Sequence, residues 1–224
     1  MRPKAIFFDV GGTLIFPDLP EMMAPLLRRG IKPTPEQLFV ADKAAKHTHS
    51  RDSDDSPGNR SHWYVYFSSL LDQIGTGHDL LGELASRAGD SSYWTVVAPR
   101  AVETLRRLGS EYRLAIISNA DGKIRQVLER AGLAEHFESI TDSGAVGYEK
   151  PDPRIFETAL AQMQLSSKDG LYVGDIYGID YLGASRVGMQ AVVIDFPGVY
   201  RGAGFPRVES LDELASHVEQ LGAL

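Results

Sequence analysis

The sequence predicts a doubly wound α/β fold, with a mostly parallel sheet and an all-helical segment inserted after its first strand. Residues 5–8 form an apolar run without polar alternation, as in a strand that is buried on both faces. Residues 21–88 show helical spacing and contain no convincing strand. From residue 99 onward, short apolar runs alternate with helical patterns, which is typical of a parallel sheet with helices on both faces.

The composition excludes several classes of function. The chain has 224 residues, 43% of them hydrophobic, and a net charge of −7 at pH 7. This charge argues against a general nucleic-acid-binding role, which needs a basic surface. No apolar run approaches the ~18 residues that cross a bilayer, so we expect no membrane partner. The N-terminal apolar run is short and ends on Asp9, so we expect no signal peptide. Because the chain has no cysteine, thiolate chemistry is excluded, and we expect a cytoplasmic protein.

The first predicted strand ends on a carboxylate, Asp9, which two glycines follow, Gly11 and Gly12. Glycines allow unusual backbone dihedral angles and a close approach to a ligand. An acid at the carboxyl end of a central parallel strand lies where open α/β sheets bind their ligands. From this stretch alone, a ligand site and an ordinary turn with a solvated aspartate both stay open.

Residues 18–96 are predicted to be the inserted helical segment, and residues 1–17 and 97–224 the sheet domain. Pro17, Asp18 and Pro20 are typical of a linker. Helices are predicted over 21–29, from 35 to about 47, over 62–74 and over 79–88, with a polar loop at 49–60. The aromatic residues of 62–74 recur at spacings of three and four, which predicts a helix face packed in the segment's own core.

The rest of the chain alternates helices and strands. Strands are predicted over 112–117, 137–140, 171–173 and 191–194. Helices are predicted over 100–108, 123–131, 153–163, 181–187 and 211–221.

Polar residues follow several of these strands. Asp9 follows the first, Ser118 and Asn119 the second, and Asp175 the fourth, with Asp180 five residues further on. The carboxyl ends of parallel strands lie at one edge of a sheet. Carboxylates packed together cost energy unless a cation neutralises them, and oxygen ligands without sulfur suit Mg²⁺.

Three further groups could hold phosphoryl oxygens: the Ser118 hydroxyl, the Asn119 amide and the Lys150 ammonium. A carboxylate nucleophile, a divalent cation and a lysine together describe phosphoryl transfer through an aspartyl-phosphate. Taken singly, each residue also fits a turn, a helix N-cap or a solvated side chain. The indication therefore comes from their combination.

Four stretches, in this order, resemble the motifs of the haloacid dehalogenase-like hydrolases that carry a helical cap after the first motif. They are 7–14, 116–119, 147–156, and 174–175 together with 180–184. The resemblance extends over the whole chain. It implies a Rossmann-like core, a C1-type helical cap and, usually, Mg²⁺-dependent phosphatase chemistry on a small phosphorylated molecule.

The resemblance also implies roles for single residues. Asp9 would be the nucleophile and a metal ligand, Asp175 the second carboxylate on the metal, and Asp180 a carboxylate supporting these ligands. Lys150 and Ser118 would hold the transferring phosphoryl group.

The same resemblance implies that Asn119, Gly12 and Thr13 contribute to phosphate binding. One position departs from the family pattern. Family phosphatases usually carry a second aspartate, the general acid and base, where this chain has Gly11. The Gly11 carbonyl could still bind the metal, but the residue cannot protonate a leaving group. Since general acid–base catalysis contributes about 10²–10⁴ in rate, we expect simple phosphomonoesters to react slowly.

Two other branches of the family also lack this aspartate. Haloacid dehalogenases need no metal and usually depart at the fourth motif, whereas Asp175 and Asp180 are retained here. Phosphonoacetaldehyde hydrolases use a cap lysine as a Schiff base. Lys32, Lys43 and Lys46 lie in the helical segment, but we interpret them as surface residues, because lysines are mostly exposed.

Three functions therefore stay open. The first is a Mg²⁺-dependent hydrolase of a small phosphorylated metabolite, in which water, a cap residue or the substrate replaces the missing acid. The second is a dehalogenase or another hydrolase of carbon–X bonds. The third is a protein that keeps the fold and the metal site but only binds a ligand or partner, which Gly11 favours. Both a monomer and a homodimer are compatible with the sequence.

Overall fold

The sheet of the protein has six strands, all parallel, in the residues that the computed structural model describes, 2–48 and 62–222. The loop predicted at 49–60 lies outside these residues. Numbered in chain order, the strands of this sheet are β1 (Ala5–Phe8), β4 (Arg113–Ser118), β5 (Ser139–Asp142), β6 (Gly170–Gly174), β7 (Gln190–Ile194) and β8 (Arg207–Val208). Their order across the sheet is β5-β4-β1-β6-β7-β8.

The register of the central strand brings the predicted site residues to one edge. Phe8, the last residue of β1, pairs with Ile116 of β4 and with Val173 of β6. The chain therefore leaves all three strands at about the same height, where Asp9, Ser118 and Asp175 follow or end them.

Helices cover both faces of the sheet, which confirms the doubly wound fold. They are α6 (Ala101–Gly109), α7 (Ile124–Arg130), α8 (Ser143–Val146), α9 (Pro153–Gln162), α10 (Leu182–Arg186) and α11 (Leu211–Gly222). The side chains of β1 alternate between two buried clusters, with Ile6 and Phe8 in one and Ala5 and Phe7 in the other. The strand is therefore buried on both sides, as its unbroken apolar run predicts.

The helical segment contains α1 (Leu19–Met22), α2 (Ala24–Leu27), α3 (Pro35–Thr48), α4 (His62–Ile74) and α5 (Leu81–Gly89). The aromatic face of α4 packs in a separate buried cluster, in which Phe67 and Leu70 lie with Met22 and Leu84. This confirms the prediction that the aromatic residues form a core of the segment. The division of the chain into two domains stays a prediction.

The single helix predicted over 21–29 is wrong, because the chain forms α1 and α2 instead. Pro25 lies in the first turn of α2 and has no amide hydrogen to continue a helix from α1. Among the described residues of 21–88 there is no strand, as predicted, and no helix combines the length with the apolar character needed to cross a membrane.

Two strands beside the predicted boundaries were not expected. They are β2 (Ile15–Pro17) and β3 (Trp94–Val97), which pair antiparallel where the chain enters and leaves the helical segment. The linker predicted at Pro17–Pro20 is therefore wrong. Pro17 ends β2, and Asp18 caps α1 by accepting a 3.2 Å hydrogen bond from the Glu21 amide. Proline and aspartate serve helix starts as well as turns, so their presence does not distinguish the two.

The edge strand β8 was also missed, since 191–194 was predicted to be the last strand. Two residues are too few to show a strand pattern, and the pairing of Ile194 with Val208 exists only in the folded chain.

Candidate active site

The centre of the site is the buried side chain of Lys150, which precedes α9. Its Nζ lies 3.0 Å from Asp9 Oδ1 and 2.8 Å from Asp180 Oδ1, and it donates to the Tyr172 hydroxyl at 2.8 Å. The Tyr172 hydroxyl donates in turn to the Ile117 carbonyl at 3.0 Å. All polar groups of this cluster are buried, so each is oriented by a partner within the protein.

Burial and neighbouring charges shift the pKa values of Asp9 and Lys150 in opposite directions. Burial raises the pKa of the Asp9 carboxyl, and the Lys150 ammonium opposes that shift. Burial alone would lower the pKa of Lys150, but the carboxylates of Asp180 and Asp9 outweigh it and raise this pKa. Lys150 is therefore a permanent positive charge beside the proposed nucleophile.

Asp180 is held from two sides. It lies on a single turn of π-helix, Tyr177–Tyr181, and its Oδ2 accepts a 2.9 Å hydrogen bond from the Ile176 amide. A Cβ atom on Gly174 would lie 2.3 Å from the Asp180 carboxyl carbon, so only glycine allows this carboxylate to approach β6 so closely. Both constraints direct Asp180 toward Lys150.

Asp175 has a different partner, which comes from the helical segment. Its Oδ2 lies 3.1 Å from Nζ of Lys46 on α3, and Lys46 also pairs with Asp42 Oδ2 at 3.3 Å. Burial raises the pKa of Asp175 to about 7, with Lys46 opposing the shift and Asp180 and Asp9 adding to it. Among the residues that the structure describes, the site therefore has two buried ammonium groups, one from each part of the chain.

The interpretation of Lys46 as a surface residue is wrong. Its side chain is 5% exposed, whereas Lys43 on the same helix is exposed. The sequence signal here is an Asp42–Lys46 pair at i,i+4, and such pairs are common on exposed helix faces. Lys46 is buried because α3 lies against the carboxyl edge of the sheet, which its local sequence does not reveal.

Gly12 gives Asp175 the space it occupies. The residue has a φ of +70°, and a Cβ atom on it would lie 2.5 Å from Asp175 Oδ2. Glycine is therefore required both by the backbone conformation and by the contact. This agrees with the predicted close approach, although the close neighbour is a carboxylate of the chain itself.

Gly11, where family phosphatases usually carry an aspartate, faces the indole of Trp94. A Cβ atom there would lie 3.1 Å from the Trp94 ring, which itself donates from Nε1 to the Ala88 carbonyl at 3.0 Å. The space beside Gly11 is thus narrowed by a side chain of β3. Trp94 had no recognisable role in the sequence.

The predicted phosphate-binding residues differ in their surroundings. Ser118 is buried at the end of β4 and lines the cleft above the sheet edge. The Asn119 side chain donates to the Lys150 carbonyl at 3.0 Å and accepts from the Lys150 amide at 2.7 Å, so it positions the Lys150 loop. Thr13 is fully buried, and its hydroxyl has no hydrogen-bond partner among the described residues.

The acidic residues of the site fit a divalent cation. Asp9, Asp175 and Asp180 each offer a carboxylate oxygen within 4.8 Å of the others, and all three residues are buried. A Mg²⁺ ion binds oxygen at about 2.0–2.1 Å and keeps several waters, so two of these carboxylates could share one ion. Gly11 lines the same cleft.

The cleft above these residues has a volume of about 1530 Å³. Asp9 and Lys150 lie in its floor, and Met22, Trp63 and Tyr66 of the helical segment line it as well. A concave site with a few convergent polar groups and apolar walls is typical of small-molecule binding.

The site thus combines a carboxylate at the carboxyl end of a central strand with a buried lysine and two further aspartates. A family model described as haloacid dehalogenase-like hydrolase matches residues 3–188. The chain belongs to this family, which confirms the predicted family resemblance. Its placement among the members with a C1-type helical cap stays a prediction.

Relatives of the chain include proteins named as phosphatases. It is 40% identical over 108 residues to haloacid dehalogenase-like hydrolase domain-containing protein 3 of Bos taurus, covering 47% of this chain and 42% of that protein. It is 38% identical over 99 residues to a glyceraldehyde 3-phosphate phosphatase of Methanothermobacter thermautotrophicus, covering 43% of this chain and 44% of that protein. These matches span less than half the length of either relative.

A solved structure extends the similarity to nearly the whole chain. A HAD phosphatase from Thermococcus onnurineus is 26% identical, with a TM-score of 0.61, and the match covers 96% of this chain and 97% of that one. Family membership places the chain among the haloacid dehalogenase-like hydrolases.

Proposed function

We propose that the protein is a Mg²⁺-dependent phosphatase that cleaves a small phosphorylated metabolite through an aspartyl-phosphate at Asp9. The observation that carries this proposal is the convergence of Asp9, Asp175 and Asp180 within 4.8 Å, with Lys150 3.0 Å from Asp9. Three carboxylates beside the two buried ammonium groups of Lys150 and Lys46 still leave excess negative charge, which a divalent cation would neutralise. Asp9 and Asp175 would hold the cation, together with the Gly11 carbonyl.

In the proposed first step, a carboxylate oxygen of Asp9 attacks phosphorus, and the bond between phosphorus and the leaving-group oxygen breaks. Lys150 orients Asp9 through Oδ1 and places a positive charge next to the transferring group. Ser118 would donate its hydroxyl hydrogen to a phosphoryl oxygen. Bound Mg²⁺ would polarise the phosphoryl group and neutralise part of its charge.

In the second step, water attacks phosphorus of the aspartyl-phosphate, which releases inorganic phosphate and restores the Asp9 carboxylate. Gly11 has no group to protonate the leaving oxygen or to deprotonate water. Water or the substrate would therefore carry these protons, and we expect slow turnover with poor leaving groups.

The relatives support a phosphorylated substrate, because the protein from Methanothermobacter thermautotrophicus is named for one. The proposal extends to a protein that acts in the cytoplasm as a monomer or a homodimer. The alternative of a metal-independent dehalogenase is less well supported, because Asp175 and Asp180 lie beside Asp9 as a metal site would require.

A second candidate function is ligand binding without turnover. The position of Trp94 favours it, since its indole lies 3.1 Å from where a Cβ atom on Gly11 would be and narrows the space at the position where phosphatases carry their acid. A phosphatase would release phosphate from a substrate, whereas a binding protein would not.

The test is a panel of phosphoesters and haloacids, assayed with and without MgCl₂ on wild type and Asp9→Asn. Mg²⁺-dependent phosphate release that Asp9→Asn abolishes is the expected result. Metal-independent halide release would support the dehalogenase instead. Absence of turnover on every compound would contradict the phosphatase and support the binding role.

A further inference from the structure

The Asp175 carboxylate already has a cation in the structure, the Lys46 ammonium. The distance from Lys46 Nζ to Asp175 Oδ2 is 3.1 Å, and the Lys46 side chain is 5% exposed. The ion pair joins α3 of the helical segment to the loop after β6. It therefore connects the two parts of the chain at the site itself.

The metal would need the same carboxylate. A cation bound by Asp175 and Asp9 would come close to the Lys46 ammonium, and two positive charges within a few ångströms repel strongly in a buried site. Gly12 restricts Asp175 from the other side, because there is no room for even a Cβ atom beside Oδ2. The carboxylate has little freedom to serve both cations.

Lys46 has a second acidic partner on its own helix. Asp42 Oδ2 lies 3.3 Å from Lys46 Nζ, and Asp42 also lines the cleft. If Lys46 leaves Asp175, its charge can still be balanced by Asp42. Loss of the contact with Asp175 therefore does not leave a buried ammonium without a counter-ion.

Resting on the proposed metal site, we propose that Lys46 is a positioning residue that competes with the divalent cation for Asp175. In the metal-free protein, Lys46 holds Asp175 and ties α3 to the edge of the sheet. Binding of the cation displaces Lys46 and loosens this tie. Tighter attachment of α3 through Lys46 then weakens metal binding, and metal binding weakens the attachment of α3.

The test measures Mg²⁺ binding by isothermal titration calorimetry at pH 8.5, in wild type, Lys46→Met, Lys46→Arg and Lys43→Met. Methionine has a similar length without the charge, and Lys43 is an exposed lysine on the same helix. We expect Lys46→Met to lower the Kd for Mg²⁺ by at least about tenfold, with Lys46→Arg and Lys43→Met close to wild type. Because the contact is buried, the effect should persist in 0.5 M NaCl.

Unchanged or weaker Mg²⁺ binding by Lys46→Met would overturn the competition, as would equal tightening by Lys43→Met. Asp175→Asn separates this inference from the proposed metal site. If wild type binds no Mg²⁺, or if Asp175→Asn binds as wild type does, the metal site fails and the inference fails with it. If binding depends on Asp175 but not on Lys46, only the inference fails.

A second measurement needs no variant that could fail to fold. Amide hydrogen exchange of wild type should become faster in the second half of α3 when MgCl₂ is added, while β1 and β6 become more protected. Slower exchange or no change in α3 would overturn the release of the helix.

Discussion

Two buried lysines balance part of the negative charge of the site, and they come from different parts of the chain. Lys150 lies between α8 and α9 and contacts Asp9, Asp180 and Tyr172, which all lie on or shortly after strands β1 and β6 of the sheet. Lys46 comes from α3 and contacts Asp175 across the cleft. One half of the site is therefore built within the sheet, and the other half depends on how the helical segment lies against it.

Because of this difference, we expect the two lysines to affect different properties of the protein. Lys150 is also fixed through its backbone by Asn119, so its charge stays beside Asp9. The position of Lys46 relative to Asp175 depends on where α3 lies. Variants of Lys150 should therefore affect chemistry and stability, and variants of Lys46 should affect metal binding.

The largest expected effect concerns the nucleophile of the sheet side. Asp9→Asn cannot form an aspartyl-phosphate, because an amide oxygen is a much weaker nucleophile. We expect phosphate release with MgCl₂ to fall by about 10³-fold or more, measured on the best phosphoester of the panel. Turnover within tenfold of wild type, with circular dichroism showing a folded protein, would exclude Asp9 as the nucleophile.

The next effect concerns the other member of the sheet side, Lys150. Lys150→Met leaves the buried carboxylates of Asp9 and Asp180 without their cation, and removing one partner of a buried ion pair costs about 3–5 kcal/mol. Urea unfolding at pH 7.5 without Mg²⁺ should show this loss of stability.

The matched control is Lys168→Met, since Lys168 is exposed, and it should stay within about 0.5 kcal/mol of wild type. If both variants unfold at the same urea concentration, the carboxylates do not depend on Lys150 for their charge balance.

A smaller effect is expected where the two sides meet at Gly11. Gly11→Asp supplies the missing acid, but its Cβ would lie 3.1 Å from the Trp94 ring. We expect Gly11→Asp/Trp94→Leu to hydrolyse alkyl phosphates up to about 10²-fold faster than wild type, and Gly11→Asp alone to gain less. Assays on an alkyl and an aryl phosphate would check this, because the better aryl leaving group needs less acid catalysis. Equal rates for the single and the double variant would show that Trp94 does not restrict this position.

The smallest effect concerns the space for Asp175. Gly12→Ala places a Cβ 2.5 Å from Asp175 Oδ2 at a φ of +70°, whereas Gly30→Ala has a φ of +72° with nothing within 4 Å. Gly30→Ala should lose about 1–2 kcal/mol of stability from the left-handed backbone, and Gly12→Ala at least as much, since its Cβ also meets Asp175. Only Gly12→Ala should also weaken Mg²⁺ binding in calorimetry. Unchanged Mg²⁺ affinity of Gly12→Ala would show that Asp175 can move without loss.

The comparison of the two lysines also shows how far the sequence could predict this site. Asp9, Lys150, Asp175 and Asp180 were recognised because each follows a strand or lies in a recognised motif, and the parallel register then brings strand ends together. Lys46 was missed because its burial arises from the packing of α3 on the sheet edge, which has no local signature. Trp94, on β3, was missed because its position beside Gly11 likewise arises only in the folded chain.

The fold shows the same limit. The parallel sheet followed from the alternation of strands and helices, which is a long-range pattern. The short strands β2, β3 and β8 were missed because two to four residues are stabilised by their partners rather than by their own sequence.

The most direct test of the central claim is a crystal structure of the protein with MgCl₂ and beryllofluoride, which mimics a phosphoryl group on a carboxylate. We predict that beryllium binds an Asp9 oxygen and that one Mg²⁺ ion lies between Asp9 and Asp175, with Lys46 moved from Asp175. Crystals in which Asp9 carries no beryllofluoride and Asp175 binds no ion would contradict the proposed phosphatase.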